Sequence, residues 1–248
     1  MTTKQFPKRR EDESGIMIAV VCQELMRYSH FFKTFIGLEP VGNKPYHPFI
    51  EPGLDIFKQC NEAIESARAK GVSHLFLIGD DHILMPDTIT RLAAHGVDAV
   101  VPFCLQRSSP YYPVVYADED ENGSHRIMKD FPEHGLMEIY AAGSAGMLVS
   151  KAVIDALPAQ PFTTSRGHHN EDLEFCRHIR AAGFKLYCDV DTLLGHVGTQ
   201  FCVPDWQDDG YGWGVAVTLG PGEPLRFGRM PDAPGVLFPR SVAKRSAA

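Results

Sequence analysis

Hydrophobic and polar residues alternate in blocks along the first hundred residues of the chain. Continuous apolar runs at 16–22, 74–78 and 98–102 are rich in β-branched residues and predict buried strands. Between these runs, amphipathic segments predict helices over 24–36, over 55–70 and from Pro86 to Gly96. This alternation is typical of a mostly parallel sheet with helices on both faces. The predicted fold class is therefore α/β, with one Rossmann-related domain.

The remaining segments are less regular. The stretch 37–53 holds four prolines and three glycines, which predicts a loop. Residues 107–140 mix short β-like pieces with turns. The further elements predicted are a strand at 147–150, a helix at 151–157, a helix at 172–182 and a strand at 185–189. Beyond Trp206 the chain is rich in glycine and proline, which predicts irregular backbone without a second core.

Length and composition bound the class of protein. The chain has 248 residues with 44% hydrophobic and 22% charged side chains, which are ordinary globular values and exclude collagen, coiled coil and wholesale disorder. The net charge of −7 excludes a domain whose overall charge attracts nucleic acid, although a local basic patch stays open. We expect a frayed N-terminus at 1–14, one domain at 15–200, and a C-terminal extension or active-site lid at 201–248.

Cysteine usage and hydropathy suggest a compartment. None of the six cysteines forms a Cys-x-x-Cys pair, and several lie in apolar runs, so buried free thiols in a reducing compartment are the preferred interpretation. The even count would also permit disulfides. The polar N-terminus does not resemble a secretory signal, and no apolar run approaches the roughly 20 residues of a membrane span. We therefore expect a soluble, cytosolic protein.

The first candidate site is Asp80-Asp81-His82, which directly follows the apolar run at 74–78. In open parallel sheets, ligands bind beyond the carboxyl ends of strands. Two carboxylates and an imidazole there are suited to a divalent cation, Mg²⁺ or, with the imidazole, Mn²⁺. The alternative is that the acids only stabilise the start of the helix near Pro86.

Two later motifs carry further polar groups. Glu171-Asp172 opens a predicted helix and can supply a general base, although an acid there can equally be a simple helix cap. His196 stands between Gly195 and Gly198 after an apolar stretch, where little crowds its side chain. The alternative for His196 is an ordinary core or surface histidine.

The order of these motifs resembles the family 2-like glycosyltransferases of the GT-A fold. An acidic pair after a strand precedes Gly-Ser-Ala-Gly-Met-Leu-Val at 143–149, then Asn-Glu-Asp at 170–172, then Gly-His-Val-Gly at 195–198. The resemblance spans residues 16–200 and implies a GT-A-like domain that binds a nucleotide sugar. Compact chains of this kind resemble proteins common in bacteriophage genomes.

The resemblance also implies roles for the candidate residues. Anchored on Pro86, the family's Asp-x-Asp motif falls on Gly79 and Asp81, so its first Asp is missing. Asp81 is then expected to bind the metal, Asp80 to lie near the ribose or behind the metal ligands, and His82 to lie near the ion or the donor sugar. His196 matches a late histidine that completes the metal site.

On the acceptor side, the resemblance implies that Asp172 acts as the base and that Glu171 orients or binds the acceptor. Such a pair favours inversion at the anomeric carbon.

Smaller hypotheses concern the donor. The small residues Gly143, Ser144, Ala145 and Gly146 would let the backbone approach the sugar. Arg107 would contact phosphate or acceptor, and Trp206 would stack on the donor. The alternatives are that the four small residues only form a tight entry to a strand, that Arg107 is a solvated surface residue, and that Trp206 is a packing residue.

Together these observations predict a metal-dependent glycosyltransferase of the hexosyltransferase type, using Mn²⁺ or Mg²⁺ and a nucleotide-sugar donor, with a UDP-sugar as first choice. The acceptor is a hydroxyl of a glycan, a small molecule or a modified DNA base. Basic residues near both ends would supply phosphate contacts if DNA is the acceptor, or else form solvated tails. Two alternatives stay open. One is a nucleotidyltransferase or phosphohydrolase using Asp80 and Asp81, and the other is a non-catalytic nucleotide-sugar-binding module.

Overall fold

The computed structural model describes residues 14–22, 29–51, 55–107, 112–121, 123–163 and 171–198, together with the backbone of 201–206, 213–218 and 225–227. The chain divides into two units. The first comprises Met1–Leu105 with Pro113–His196, and the second comprises Gln106–Tyr112 with Val197–Ala248.

The first unit is built on an eight-stranded mixed sheet. The path of hydrogen-bonded strands is β2-β1-β3-β10-β5-β11-β4, and β8 pairs with β11 beside this path. These strands are β1 (Ile16–Val21), β2 (Tyr46–Ile50), β3 (His74–Gly79), β4 (His82–Ile83), β5 (Ala99–Cys104), β8 (Leu136–Ile139), β10 (Met147–Ser150) and β11 (Leu186–His196). Strands β2, β1, β3, β5 and β11 run in one direction, and β10, β8 and β4 run against them. The sheet is therefore mostly parallel, as predicted.

Helices cover both faces of this sheet. They are α1 (Ser29–Ile36), α2 (Ile56–Lys70), α3 (Thr88–Ala94), α4 (Lys151–Ala156) and α5 (Glu171–Ala181). Successive side chains of a strand point to opposite faces. Accordingly, Met17 and Ala19 join one buried cluster with α2, α4 and α5, while Ile16 and Ile18 join a second with α1 and α3. The sheet thus has an apolar core on each side, which confirms the predicted α/β layering.

Helix α2 shows how local sequence sets an element. The Asp55 side chain accepts a hydrogen bond from the Lys58 backbone N–H at 2.8 Å, which caps the N-terminus. Gly71 adopts φ 60°, the left-handed conformation that ends helices. Cys60, Ala63, Ile64 and Ala67 are buried along one face, as their spacing predicts.

Three sequence-based expectations were wrong. The predicted loop at 37–53 contains β2, and its Pro48 is tolerated because the strand lies at the sheet edge, where a missing N–H breaks no ladder. The strand predicted at 185–189 runs on to His196, because a shift of register between Asp189 and Leu193 absorbs the polar residues between them. The backbone beyond Trp206 is not wholly irregular, since it forms β13 (Trp213–Thr218) and β14 (Leu225–Phe227).

Two small sheets complete the described structure. In the first unit, β6 (Val115–Glu119) pairs with β7 (His125–Ile127) and β9 (Ala141–Ala142). In the second unit, β12 (Phe201–Trp206), β13 and β14 form an antiparallel sheet. Residues 1–14 lie outside the described part except for Ser14, so the expectation of a frayed N-terminus stays a prediction.

Candidate active site

Polar side chains gather where the parallel strands β3, β5 and β11 end. Strand β3 ends at Gly79, β5 ends at Cys104 and β11 ends at His196. After β3 the chain turns back as the short strand β4, which pairs antiparallel with β11 so that His82 lies opposite His196. The topology therefore makes these two histidines cross-strand neighbours, although they are 114 positions apart in the sequence.

The two imidazoles are stacked and anchored in the same way. Their ring centroids lie 4.5 Å apart with an interplanar angle of 16°. Nδ1 of His82 lies 3.2 Å from the carbonyl oxygen of Gly79, and Nδ1 of His196 lies 2.9 Å from that of Leu105. An N–H on Nδ1 that donates to a carbonyl leaves the lone pair on Nε2, which is the usual arrangement of metal-binding histidines.

Asp81 lies against both rings. Its Oδ1 is 3.1 Å from Nδ1 of His82, and its Oδ2 is 3.4 Å from Nε2 of His196. Burial raises the pKa of the Asp81 carboxyl, but hydrogen bonds with His196 and His82 outweigh burial and hold that pKa well below its usual range. Burial conversely lowers the pKa of His196, while its bonds to Asp81, Cys104 and Leu105 raise it to about 10. Asp81 is thus an anion that draws positive charge to this point.

Cys104 joins the cluster from β5. Its Sγ and one nitrogen of each of His82 and His196 all lie within 4.8 Å of one another. Burial raises the pKa of the Cys104 thiol, but the two nearby imidazoles lower it below the ordinary value. From the sequence, Cys104 was expected only to be a buried free thiol. The signal for Cys104 as a site residue was its position at the end of a strand parallel to β3, because the carboxyl ends of parallel strands lie at one edge of the sheet.

Gly79 has a packing role in this cluster. A Cβ at this position would lie 2.8 Å from Oδ1 of Asp81 and 3.2 Å from Nδ1 of His82. Contacts this short require the neighbours to move. Gly79 stands where the family pattern has its first Asp, and the absence of a side chain there leaves the space that Asp81 and His82 need.

The cluster fits a metal ion. Nε2 of His82 is buried and, within the part of the chain that the structure describes, has no hydrogen-bond partner. An orphaned buried nitrogen is costly unless something binds it. A cation is the complement of this lone pair, of Nε2 of His196 and of the Asp81 carboxylate. The residues predicted as metal ligands are thus brought together, and their ligand roles stay predictions.

A second carboxylate, Asp172, lies at the same edge of the sheet. The segment before β10 reaches this edge because Met147 pairs with Leu77, two residues before β3 ends. Within that segment, a Cβ on Gly143 would lie 3.3 Å from Oδ2 of Asp172. The glycine therefore lets the backbone approach the carboxylate closely.

The surroundings of Asp172 differ from those of Asp81. The backbone N–H of Leu173 donates to Oδ1 of Asp172 at 2.9 Å, and the N–H of Ser144 also bonds to this carboxylate. Burial, assisted by the negative charge of Glu171, nevertheless raises the pKa of Asp172 to about 6. A carboxylate with a pKa near neutrality is suited to accept a proton. Glu171 is half-buried at the start of α5 and acts on Asp172 through its charge.

The other predicted donor-side residues are distributed as follows. Asp80 is buried, and its backbone N–H donates to the Val21 carbonyl at the end of β1 at 3.2 Å. Gly146 has φ 73°, and a Cβ there would meet Pro102 at 3.0 Å, so this position needs glycine. Ser144 and Ala145 lie between the two glycines and are half-buried. Arg107 is exposed and belongs to the second unit, as does Trp206, whose side chain lies outside the described part.

Two general expectations can be compared with the structure. All five cysteines whose side chains are described are buried and free, as the sequence suggested. Among the described residues, no helix is both long enough and apolar enough to cross a membrane.

Comparison with solved structures identifies the fold. The chain is similar to A197 from STIV, with a TM-score of 0.50 and 12% identity, over 75% of this chain and 95% of that one. The shared fold is the GT-A-like, Rossmann-related architecture that the sequence predicts. A second similar structure is GalNAc-T7 with UDP, GalNAc and Mn²⁺, with a TM-score of 0.45 and 11% identity, over 76% of this chain and 44% of that one. No protein-family model and no curated protein matches the chain.

Proposed function

We propose that this protein is a metal-dependent glycosyltransferase that moves a sugar from a nucleoside diphosphate to a hydroxyl acceptor. One observation carries the proposal. Two carboxylates at one edge of a GT-A-like sheet have opposite pKa shifts, with Asp81 held ionised beside two imidazoles and Asp172 raised to about 6. Pairs of acids whose surroundings separate their pKa values are typical of sites that divide electrostatic and proton-transfer roles.

On the donor side, Asp81, His82 and His196 would hold the divalent ion. When bound, such an ion acts as a Lewis acid that stabilises charge on the departing diphosphate. Asp80 contacts the ribose of the donor or lies behind the metal ligands and supports them. The small segment Gly143–Gly146 lets the backbone approach the sugar. The roles expected for Arg107 and Trp206, phosphate contact and stacking on the donor, stay predictions.

On the acceptor side, Asp172 is the general base. Its Oδ2 takes the proton of the acceptor hydroxyl as the oxygen attacks the anomeric carbon and the bond to the diphosphate breaks. A base that acts on the attacking hydroxyl implies an inverting reaction. Glu171 orients the acceptor, and its charge adds to the effect of burial in raising the pKa of Asp172.

The donor and acceptor are proposed by class. We propose a UDP-hexose as donor, Mn²⁺ or Mg²⁺ as the first ions to test, and a family 2-like enzyme of the compact bacteriophage type acting in the host cytoplasm. The acceptor is a hydroxyl of a glycan, a small molecule or a hydroxylated DNA base. A DNA acceptor is favoured by the basic clusters near both ends of the sequence and disfavoured by the net charge of −7.

The test begins with thermal unfolding against a panel of nucleoside diphosphates and nucleotide sugars, with and without a divalent ion. A ligand that binds only the folded state raises the melting temperature. We expect one nucleotide series to stabilise the protein only when the ion is present, and Asp81→Ala to abolish that shift. The stabilising donor is then incubated with the protein, and the released products are identified.

Product identity decides between the proposed activity and its rivals. Free sugar together with intact nucleoside diphosphate supports glycosyl transfer to water as a slow side reaction. Release of nucleoside monophosphate or inorganic phosphate would instead indicate a nucleotidyltransferase or a phosphohydrolase. Tight binding without any turnover, in the presence of a wide acceptor panel, would indicate a binding module.

A further inference from the structure

We propose that Cys104 is a metal ligand, so that the cluster of His82, His196, Cys104 and Asp81 prefers a thiophilic ion of the zinc class to Mg²⁺ or Mn²⁺. The inference rests on the proposed function only in taking this cluster as the donor-side metal site. Metal binding itself can be measured without any sugar donor.

The first support is the convergence of three donor atoms from three strands. Sγ of Cys104 at the end of β5, and one nitrogen each from His82 in β4 and His196 in β11, lie within 4.8 Å of one another. Atoms that share a zinc ion at about 2.0 to 2.3 Å lie roughly 3.3 to 3.8 Å apart in tetrahedral geometry. Side-chain shifts of about 1 to 1.5 Å, together with a rotation that ends the stacking of the two imidazoles, would close the cluster around an ion.

The second support is the state of the nitrogen atoms. Nε2 of His82 is buried without a hydrogen-bond partner among the described residues, and the residue is only 5% exposed. Nδ1 of each histidine lies against a backbone carbonyl, Gly79 for His82 and Leu105 for His196. Metal binding displaces the second proton of an imidazole, and a carbonyl that holds the Nδ1–H then leaves Nε2 of each ring to bind the ion.

The third support is the chemistry of sulfur. Thiolate ligands select soft or borderline ions such as Zn²⁺, whereas Mg²⁺ takes oxygen ligands. The thiol releases its proton to solvent when it binds the ion. Asp81 completes a set of four candidate ligands with His82, His196 and Cys104, and a zinc ion can expand to five-coordinate when it also binds substrate.

The other described cysteines provide a contrast. Cys22, Cys60, Cys176 and Cys188 are also buried and free, yet within the described residues only Cys104 belongs to a group of metal-binding side chains. Cys60 lies in α2 within the other core cluster and is as buried as Cys104, 1% exposed in each case. It therefore offers a matched control for the loss of a buried sulfur.

The test replaces the bound metal of the full-length protein with Co²⁺, which replaces zinc and reports its ligands by colour. The protein is stripped with a chelator and titrated with Co²⁺ in the absence of nucleotide. We expect one equivalent to bind with a near-ultraviolet thiolate-to-cobalt charge-transfer band. Cys104→Ala should lose this band and bind Zn²⁺ at least roughly tenfold more weakly. Its affinity for Mg²⁺ should change little, and Cys60→Ala should behave like the parent protein.

A second measurement needs no variant. X-ray absorption of the zinc-loaded parent protein should show one sulfur neighbour at about 2.3 Å beside nitrogen or oxygen neighbours at about 2.0 to 2.2 Å. This result keeps the test valid if Cys104→Ala does not fold. Zinc or cobalt bound with only nitrogen and oxygen neighbours would overturn the inference, and so would a charge-transfer band that survives Cys104→Ala.

The outcomes also separate this inference from the proposed function. Sulfur-bound metal in a protein that turns over no nucleotide sugar would support the ligand assignment and contradict glycosyl transfer. Turnover with Mn²⁺ and no metal–sulfur bond would support glycosyl transfer and overturn the ligand assignment. Failure to bind any divalent ion would overturn both.

Discussion

Asp81 and Asp172 lie at the same edge of the sheet, yet their carboxyl groups have opposite properties. Burial raises the pKa of both. Asp81 has two imidazoles within 3.4 Å, and their hydrogen bonds reverse the effect of burial. Asp172 has backbone N–H donors and the like charge of Glu171, and burial prevails.

The difference shows how a fold can give one residue type two tasks. A carboxylate held ionised beside cationic or metal-binding groups provides fixed negative charge. A carboxylate with a pKa near 6 can exchange a proton close to neutral pH. The sequence places both acids in similar settings, each shortly before or at the start of a helix. Besides the adjacent His82 and Glu171, partners distant in sequence distinguish them, since His196 of β11 lies beside Asp81 and Ser144 before β10 bonds to Asp172.

The largest expected effect comes from Asp172→Asn. Asn keeps the shape and the hydrogen bond from Leu173 but cannot take a proton at neutral pH. We expect the rate of sugar transfer, or of donor hydrolysis, to fall by about 10²- to 10⁴-fold, the range for loss of a general base. Metal binding and the nucleotide-dependent thermal shift should be unchanged.

The matched control is Asp155→Asn, which removes an exposed carboxylate paired with Lys151 on α4. It should leave the rate unaltered. If Asp172→Asn retained most of the activity, proton transfer by Asp172 would be excluded and a retaining mechanism would have to be considered.

The second-largest expected effect comes from disturbing the packing around Asp81. In Gly79→Ala the added methyl would lie 2.8 Å from Oδ1 of Asp81 and 3.2 Å from Nδ1 of His82. One of these side chains must then move out of place. We expect affinity for the divalent ion, measured by calorimetric titration, to fall by about 10- to 100-fold.

Gly37→Ala is the control, because its Cβ would meet its nearest atoms at 3.5 Å, an ordinary contact. Wild-type metal affinity in Gly79→Ala would show that the arrangement of Asp81 and His82 does not hold the ion.

How much of this site could be predicted from the sequence depends on where the information lies. Strand–helix alternation and the apolar spacing of α2 are local, and the structure confirms them. The strand-end rule predicted that Asp81 and His82 lie at the ligand-binding edge. Cys104 escaped notice because the strand was expected to stop at Pro102 and a thiol in an apolar run looks like packing.

Other misses have the same non-local origin. Strand β2 was missed because its proline is harmless only at a sheet edge, and edge position is a property of the topology. Strand β11 was cut short because its register shift cannot be recognised without the partner strand β5. The raised pKa of Asp172 likewise follows mainly from burial, which depends on the fold, while the charge of the adjacent Glu171 adds to it.

A third prediction uses the raised pKa of Asp172 as a stability effect. Because the folded-state pKa of about 6 exceeds the ordinary 3.8, the folded state binds the proton more tightly than the unfolded state. Stability from this group is present below about pH 4 and is lost as the pH rises through about 6. Asp172→Asn should therefore be more stable than the parent by roughly 1 to 2 kcal/mol at pH 8 and about equally stable at pH 4.

Urea unfolding at the two pH values measures this difference. Asp155→Asn should show no such gain, because its carboxylate is exposed. A destabilised Asp172→Asn at pH 8 would mean that the carboxylate is stabilised in the folded state and that its pKa is not raised.

The smallest expected effect comes from crowding the carboxylate of Asp172. In Gly143→Ala the added methyl would lie 3.3 Å from Oδ2 of Asp172 and 3.5 Å from Cβ of Val114. It would exclude water from the carboxylate, which raises the pKa further, and would crowd the acceptor hydroxyl. We expect kcat/KM to fall by a few-fold to about tenfold, and the acid limb of its pH profile to move upward from about 6 by several tenths of a unit. Ser144→Ala keeps the backbone N–H that bonds to Asp172 and should leave the limb in place. A pH profile that Gly143→Ala does not move would mean that the acid limb belongs to another group, and Asp172 would then lose its assignment as the base even if its substitution by Asn impaired catalysis.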